Sequence, residues 1–382
     1  MPAPGSLFLD CEVASPSVHP LLLIFLIFGI PAVSALAWVF IRGTDSLRRY
    51  ILTRIALTLP MVLILVSVVF FVLRVMPGDV VSSTLGPKAS EEVRENIMES
   101  LGLDDPLVIQ YFKFLGDVVT FDLGDSFIGA RRPIVDELGE RLPATLELII
   151  PAAIIALGTG LLFGTLAAIR RKKTADYSLR LYSVIIYSMP IFWLGLLLRL
   201  VFSVWLEWTP IAGRIDVVVN TTLERTTNLL VVDSIITGNW AALLSALHHM
   251  VLPAVTLGLV LSGVFIRLTR INVIETLQED YVIAARARGI RERVVTYSYA
   301  LKNAMIPVVT VIGLQVAILL AGAVLTETVF NWPGMGRYLI QRISARDFQA
   351  VQSTVAVFAV FVALISLAVD VVYSVLDPRV KY

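Results

Sequence analysis

The sequence predicts an all-α integral membrane protein with seven transmembrane helices, its amino terminus outside the cell and its carboxyl terminus in the cytoplasm. Hydrophobic residues make up 57% of the 382 residues and charged residues only 16%, whereas about a quarter of a soluble domain is charged. The apolar residues form runs of about 20, the length that crosses the hydrocarbon core as a helix. Basic residues recur in alternate connections, as they do in cytoplasmic loops.

Seven apolar runs have the length of a membrane-spanning helix. Backbone groups in a bilayer must pair within their own segment, so each run is expected to be helical. Pro31, Pro60, Pro151 and Pro190 are positions where a helix can kink. The predicted spans are 21–41, 55–73, 146–169, 181–206, 250–268, 306–325 and 351–373.

The basic residues predict the orientation and the domain division. Groups of them fall in 42–54, 170–180, 267–302 and 379–381, which all lie on one side if the spans alternate, and that side is predicted to be cytoplasmic. Residues 1–45 form an extension with the extra helix at 21–41, which follows no basic residue and is expected to be retained rather than cleaved. Residues 46–382 form the main transmembrane domain.

Two predicted outer segments, 77–142 and 207–247, are longer than ordinary connections, and segments of this length are usually functional or disordered. The first is expected to be partly structured. Within the first, residues 91–101 and 107–119 have apolar residues at helical spacing. They predict short amphipathic helices at the outer surface. These helices either pack on their own bundle or provide a docking surface, and the sequence leaves both alternatives open.

The cytoplasmic segment 272–307 is too polar to span and is rich in helix-forming residues. Tyr281, Ala284, Ala285 and Arg288 follow i, i+3, i+4, i+7 spacing, which predicts a helical face with small residues in its middle. Gly289 tolerates a left-handed backbone and predicts a break before a second helix near residue 291. The alternative is a solvated basic loop.

This segment resembles the EAA loop of importer permeases of the ATP-binding-cassette superfamily. Ala284, Ala285 and Gly289 match its A-A-x-x-x-G core, with Ile283 where the general motif has Glu. The Y-x-x-x-A-R-A-R-G form of 281–289, which includes Arg286 and Arg288, is similar to the peptide-importer branch. Other similar stretches are RVMPGD (74–79), LGLDDPLVIQY (101–111), DLGDSF (122–127), RLPATLEL (141–148), WPGMGRYL (332–339), ARDFQAVQ (345–352) and DVVYSVLDPRVKY (370–382).

The resemblance implies a type I importer permease core of six helices in the cell membrane, forming half of a path for di- and oligopeptides. A second homologous permease, two ATP-binding subunits and an external solute-binding protein are the implied partners, and 281–289 is the implied ATPase-coupling site. ATP and Mg²⁺ would be bound by the partners, since this chain contains no G-x-x-x-x-G-K-[ST] loop. Permeases of this branch also serve oligosaccharides and nickel.

A few further residues are candidates for the path or its gate. Arg199 lies within a predicted span, where a charge either lines a pathway or reaches the interface. Trp332, Pro333 and Gly334 predict a tight outer turn, which either narrows the path or is a plain turn. Asp370 is expected to pair with a cytoplasmic arginine, and the paired His248 and His249 to be structural. We expect no catalytic, metal or nucleic-acid site.

Two other classes of membrane protein were weighed. A secondary transporter is expected to show paired intramembrane ionisable residues or inverted repeats, whereas only Arg199 and Asp370 stand more than one residue inside the ends of the predicted spans. An intramembrane enzyme is disfavoured because the sequence has neither H-E-x-x-H nor G-x-S-x-G. Neither class accounts for the segment 281–307.

Overall fold

A computed structural model describes residue 34 and residues 45–75, 105–126 and 132–376. In these ranges the regular secondary structure is helical, with one isolated bridge between Asp125 and Pro133. Apart from Ser34, which is helical, the predicted span 21–41 lies outside the described residues, as does the predicted helix 91–101. The second predicted amphipathic helix is present.

The helices are numbered here in chain order. They are α1 Asp45–Val75, α2 Leu107–Thr120, α3 Ile134–Ile169, α4 Thr174–Ser188, α5 Ile191–Leu198 with a π-helical continuation Arg199–Trp205, α6 Val217–Asn220, α7 Leu230–Ile236, α8 Trp240–Thr276, α9 Asp280–Ala287, α10 Glu292–Val294 with a π-helical continuation Val295–Leu301, α11 Lys302–Val329, α12 Met335–Ser344 and α13 Phe348–Leu376.

Four of these helices, α1, α3, α8 and α13, are long and apolar enough to cross a membrane, and the number rises to six if two bent helix pairs each count as one span. The predicted spans from 55 to 373 all fall on these helices or pairs. Two helices begin earlier than predicted: α3 starts at Ile134 and α8 at Trp240, so both extend into segments that were predicted as outer loops.

The predicted span 181–206 is broken at Pro190, one of the positions where a kink was expected. Helices α4 and α5 meet at an angle of 105°, and Met189 and Pro190 between them have extended backbone angles. Proline lacks an N–H and disfavours helical geometry in the residue before it, so the helix stops there. By contrast, Pro60 and Pro151 are accommodated inside α1 and α3 without ending them.

The centre of the bundle is the pair α3 and α8, which pack closely along much of their lengths. Glycines make the close approach possible, as small residues commonly do between membrane helices. A Cβ added to Gly258 would lie 2.7 Å from the carbonyl oxygen of Ala152, and one added to Gly164 would lie 2.6 Å from Thr269 Cβ. The two helices therefore form one tightly fitted unit.

Helices α1, α2 and α13 form a second layer. Phe70 of α1 stacks on Phe114 of α2 with ring centroids 5.5 Å apart, and both belong to a cluster with Ala356 and Ala359 of α13. One face of α2 thus packs on its own bundle. The predicted pairing of Asp370 with an arginine is confirmed by Arg54, whose Nε lies 3.5 Å from Asp370 Oδ2.

Candidate functional site

The candidate coupling segment, predicted at 272–307, folds over residues 280–303 as a helix, a turn and a second helix, as the sequence predicts. Below, the name coupling segment refers to residues 280–303. Asp280 stands in the first turn of α9 and Arg286 in its last turn. A negative charge at the amino end of a helix and a positive charge at its carboxyl end both interact favourably with the helix dipole. Gly289 has a φ of +72°, and the next helix begins at Glu292. The left-handed glycine therefore closes α9 and redirects the chain.

A small apolar core holds the two halves of this segment together. Val282 and Ala285 of α9 are buried against Val295, with Leu277 and Ile290 at the edge. The predicted docking face is therefore wrong in one respect, because Ala285 is only 3% exposed and packs inside its own chain. The outward surface of α9 is formed by Ile283, Ala284, Ala287 and Arg288.

Polar contacts add two braces. Asn303 Nδ2 donates to the Tyr281 hydroxyl at 2.7 Å, which links the start of α9 to α11. Arg286 Nη2 donates to Glu292 Oε1 at 2.6 Å across the glycine turn, and this hydrogen bond raises the pKa of the Arg286 guanidinium above its usual value. Two residues predicted to contact a partner, Tyr281 and Arg286, thus also fix the shape of the segment.

The second helix presents an exposed surface with aromatic character. A shallow cavity of about 340 Å³ is lined by Arg293, Val294, Tyr297 and Ser298, and the Tyr297 side chain is exposed. Val294 and Tyr297 of this surface are exposed, as are Ile283 and Ala284 on α9, although the interior of the segment is packed. The geometry suits docking of a protein partner.

The candidate gate residues lie at the other end of α11, where they fix the ends of helices. Arg199 Nη1 donates to the carbonyl oxygen of Val329, the last residue of α11, so its charge stabilises a helix carboxyl end. Trp332 is fully buried, and its Nε1 donates to Ala144 O at 2.8 Å. Pro333 is half-buried. A role for these residues in a gate stays a prediction.

Gly334 makes the closest approach in this turn. A Cβ at this position would overlap the carboxylate of Glu327, which is fully buried. That carboxylate accepts from Thr145 Oγ1 at 2.6 Å and from Arg337 N at 2.9 Å. The glycine therefore allows α11, α3 and the start of α12 to meet around one acidic side chain.

Two buried charge networks near these residues were not predicted. Arg214 Nε donates to Glu147 Oε2 at 3.0 Å, and both side chains are 6% exposed. Arg342 Nη2 lies 2.7 Å from Glu137 Oε2, which also accepts from the Tyr338 hydroxyl. Burial raises the pKa of Tyr338, and the hydrogen bond to Glu137 adds to this effect. The partners are up to 205 residues apart, so no spacing in the sequence reveals them.

The two histidines have structural contacts, as predicted. His248 Nε2 is 2.7 Å from the carbonyl oxygen of Trp208, and His249 Nδ1 is 2.8 Å from that of Ser245. In the part of the chain that the structure describes, no three His, Cys, Asp or Glu residues cluster so as to hold a metal ion.

Comparison with known families accounts for this combination of an apolar bundle and a packed inner segment. Residues 160–382 match the family described as "Binding-protein-dependent transport system inner membrane component". The chain belongs to that family. Residues 47–149 of the permease match the companion amino-terminal family, so most of the chain from residue 47 onward is covered and residues 1–46 lie outside both matches.

Curated relatives cover the same part of the permease. It is 40% identical to a di/tripeptide transport system permease protein of Pseudomonas aeruginosa over 334 residues, 87% of this chain and 98% of the relative. A dipeptide transport system permease protein of Escherichia coli K12 is 40% identical over 336 residues, 87% of this chain and 99% of the relative. A glutathione transport system permease protein of Escherichia coli O6:H1 is 35% identical over 333 residues, with the same shares of 87% and 99%. The chain is thus a membrane permease component of a binding-protein-dependent transport system.

Proposed function

We propose that this permease forms one half of the translocation path of an ATP-driven importer for di- and oligopeptides. The observation that carries the proposal is the similarity to dipeptide permeases along 98% or more of their length. A second, homologous permease encloses the other half of the path, and an external solute-binding protein delivers the peptide. Two ATP-binding subunits supply the energy, with ATP and Mg²⁺ bound on them rather than on this chain.

The coupling segment is the proposed contact with an ATP-binding subunit. Its outward surface, with Ile283, Ala284 and Arg288, is supported from within by the Val282, Ala285 and Val295 core. Moving a two-state permease from 1:99 to 99:1 requires about 5.5 kcal/mol of differential binding. A packed segment can transmit a movement of the ATP-binding subunit to the attached helices, whereas a loose loop would change its own conformation instead.

The proposed topology has seven spans, with the amino terminus outside and the carboxyl terminus in the cytoplasm. The ion pair of Asp176 with Arg270, at 2.6 Å, supports it. It joins the start of α4, which directly follows the basic residues 170–173, to the last turns of α8, which lead into the coupling segment. Both basic segments thus lie at one end of the bundle. Arg199 and the turn of Trp332, Pro333 and Gly334 then act near the outer mouth, by fixing where α5 and α11 end.

The test is the ATPase activity of the coexpressed complex in lipid, with and without its binding protein, across peptides, oligosaccharides and nickel. We expect stimulation by di- and oligopeptides that requires the binding protein. Stimulation by an oligosaccharide or by nickel would keep the machinery and replace the substrate. Absence of any ATPase subunit from the complex, with uptake intact, would contradict the proposal and favour a secondary transporter.

Glutathione is the alternative substrate that a specific observation favours, since one relative at 35% identity is named for it. It is itself a small peptide, so the panel includes it beside dipeptides of similar size and charge. A complex stimulated by glutathione but not by ordinary dipeptides would narrow the proposed substrate class to that compound.

A further inference from the structure

A four-residue turn between α3 and α4 carries four consecutive cations, Arg170, Arg171, Lys172 and Lys173. All four residues are exposed. In the described ranges none of them forms an ion pair with an acidic side chain. We call these four residues the basic turn.

The acidic residue nearest in sequence is not available to neutralise this charge. Asp176 accepts from Arg270 Nε at 2.6 Å through Oδ1, and from Arg270 Nη2 at 2.9 Å through Oδ2. Oδ2 also accepts from the backbone N–H of Lys172 at 2.9 Å. Asp176 is 1% exposed. It holds the backbone of the basic turn through Lys172 N, and its negative charge is neutralised by Arg270.

The backbone of the basic turn is held in one conformation. Lys172 has a φ of +62°, a left-handed geometry that non-glycine residues seldom adopt, and its N–H bond to Asp176 supports it. Lys173 N donates to Arg170 O at 2.9 Å. The cations are therefore displayed on a fixed turn rather than on a loose strand of chain.

Some other basic residues of the predicted cytoplasmic side are neutralised within the chain. Arg54 pairs with Asp370, and Arg286 pairs with Glu292. The tendency of basic residues to stay in the cytoplasm accounts for the side on which the basic turn lies, but not for four adjacent cations that have no carboxylate partner.

The residues around the basic turn are those of a membrane interface. Leu166 and Ile169 before it, and Tyr177 and Leu181 after it, are all exposed. The guanidinium of Arg180 lies 5.9 Å from the centroid of the Tyr177 ring. Exposed aliphatic groups beside a tyrosine and cations are typical of the level at which hydrocarbon meets lipid headgroups.

We propose that the basic turn is a binding site for anionic phospholipid headgroups of the inner leaflet. Four cations close to a membrane helix have the charge that attracts such lipids, at about fivefold in affinity per cation. The site rests on the topology given under the proposed function, in which this turn faces the cytoplasm. It lies on a segment separate from the coupling segment and is distinct from it.

The test compares the coexpressed complex with two variants by native mass spectrometry after delipidation and titration with phosphatidylglycerol or phosphatidylcholine. One variant carries Arg170→Gln, Arg171→Gln, Lys172→Gln and Lys173→Gln. The other keeps all four charges, with Arg170→Lys, Arg171→Lys, Lys172→Arg and Lys173→Arg. We expect the first variant to lose phosphatidylglycerol affinity by about tenfold or more, the second to retain it, and phosphatidylcholine binding to change in neither.

Three results would overturn the inference. Unchanged phosphatidylglycerol binding in the uncharged variant would mean that the headgroups bind elsewhere, and loss of ATPase subunits from that variant would then identify a protein contact. Equal loss in both variants would show that the shape of the turn matters rather than its charge. Displacement of the lipid by inorganic phosphate would identify a phosphate site.

A separate measurement tests the topology. A Lys173→Cys variant in a Cys11→Ser background, labelled with a membrane-impermeant thiol reagent in intact cells, reports the side of the membrane directly, because Cys11 is then absent. Labelling from outside would contradict both the topology and the inner-leaflet site. Transport that fails while the lipid result holds would contradict only the proposed substrate or partners.

Discussion

The buried charge network of Arg214 and Glu147 and the coupling segment use the same residue types in opposite ways. Arg214 and Glu147 are each 6% exposed, whereas Arg286 and Glu292 are 40% and 60% exposed. Removing one partner of a buried pair strands a charge away from water, while an exposed pair exchanges its contact for water at little cost. The difference teaches that one end of the molecule uses ion pairs for stability and the other uses them to shape a surface.

The largest expected effect follows from breaking the buried pair. Glu147→Gln leaves Arg214 without its counter-charge, which costs about 3–5 kcal/mol. We expect a clear fall in the thermal unfolding midpoint of the purified permease in detergent. The matched control is Glu140→Gln on the same helix, which breaks the exposed pair with Arg132 and should cost at most about 1 kcal/mol.

Replacing both members of the buried pair sharpens this prediction. A double variant, Glu147→Leu with Arg214→Met, removes both charges and is expected to recover much of the lost stability, because no charge is then stranded. A double variant as unstable as Glu147→Gln alone would show that the hydrogen bonds to Val231 N and Asn228 O matter more than the charges.

The next effect concerns the helix pair that connects the two ends. In Gly160→Ala the new Cβ would overlap Phe265 of α8, whereas Gly158→Ala, half a turn away, meets nothing within 4 Å. Overpacking typically costs about 1–3 kcal/mol. We expect Gly160→Ala to reduce the yield of monodisperse permease in size-exclusion chromatography, and Gly158→Ala to leave it unchanged. Equal yields would mean that α3 and α8 can separate without cost.

A smaller effect on stability, but a larger one on transport, is expected at Gly289. An added Cβ meets open space there, so only the positive φ opposes substitution, at about 1–2 kcal/mol for alanine and less for asparagine. The complex that carries Gly289→Leu should still hydrolyse ATP on its partner subunits but with reduced uptake. Transport per ATP should be intermediate with Gly289→Ala and nearly normal with Gly289→Asn. Transport per ATP in proteoliposomes checks this order, and unchanged transport in Gly289→Leu would refute a coupling role.

The smallest expected effect is that of Arg286→Gln. The pair with Glu292 is exposed, so we expect a stability change within about 1 kcal/mol. The charge-exchanged double variant, Arg286→Glu with Glu292→Arg, separates two roles of the arginine. Restored transport in the double variant would indicate a brace within the segment, and continued loss would indicate direct contact of the guanidinium with an ATP-binding subunit.

The sequence was informative where local pattern decides structure. The apolar runs located α1, α3, α8, α11 and α13, because a membrane-spanning helix needs only length and hydrophobicity. Gly289 located the turn of the coupling segment, because a positive φ is tolerated by few other residues. Both predictions rest on properties of neighbouring residues.

Pattern was insufficient where tertiary contacts decide. The position of Pro190 in its run predicted a kink, but the 105° angle depends on what α4 and α5 pack against. Spacing grouped Ala285 with Ala284, yet the apolar side chains of Val282 and Val295 turn Ala285 inward. The signal that could have revealed this inner core was the presence of apolar residues, Leu277, Val282, Ile290 and Val295, in an otherwise polar segment.

The length of α8 has a mechanical consequence. Its 37 residues make a rod of about 55 Å at 1.5 Å per residue, and its carboxyl end leads after three residues into α9. Glycine contacts fasten it to α3, so the two helices tilt together. A tilt of about 5° around the carboxyl end carries the amino end through about 5 Å, roughly one turn of helix. Small movements imposed on the coupling segment are therefore magnified geometrically at the opposite face of the membrane.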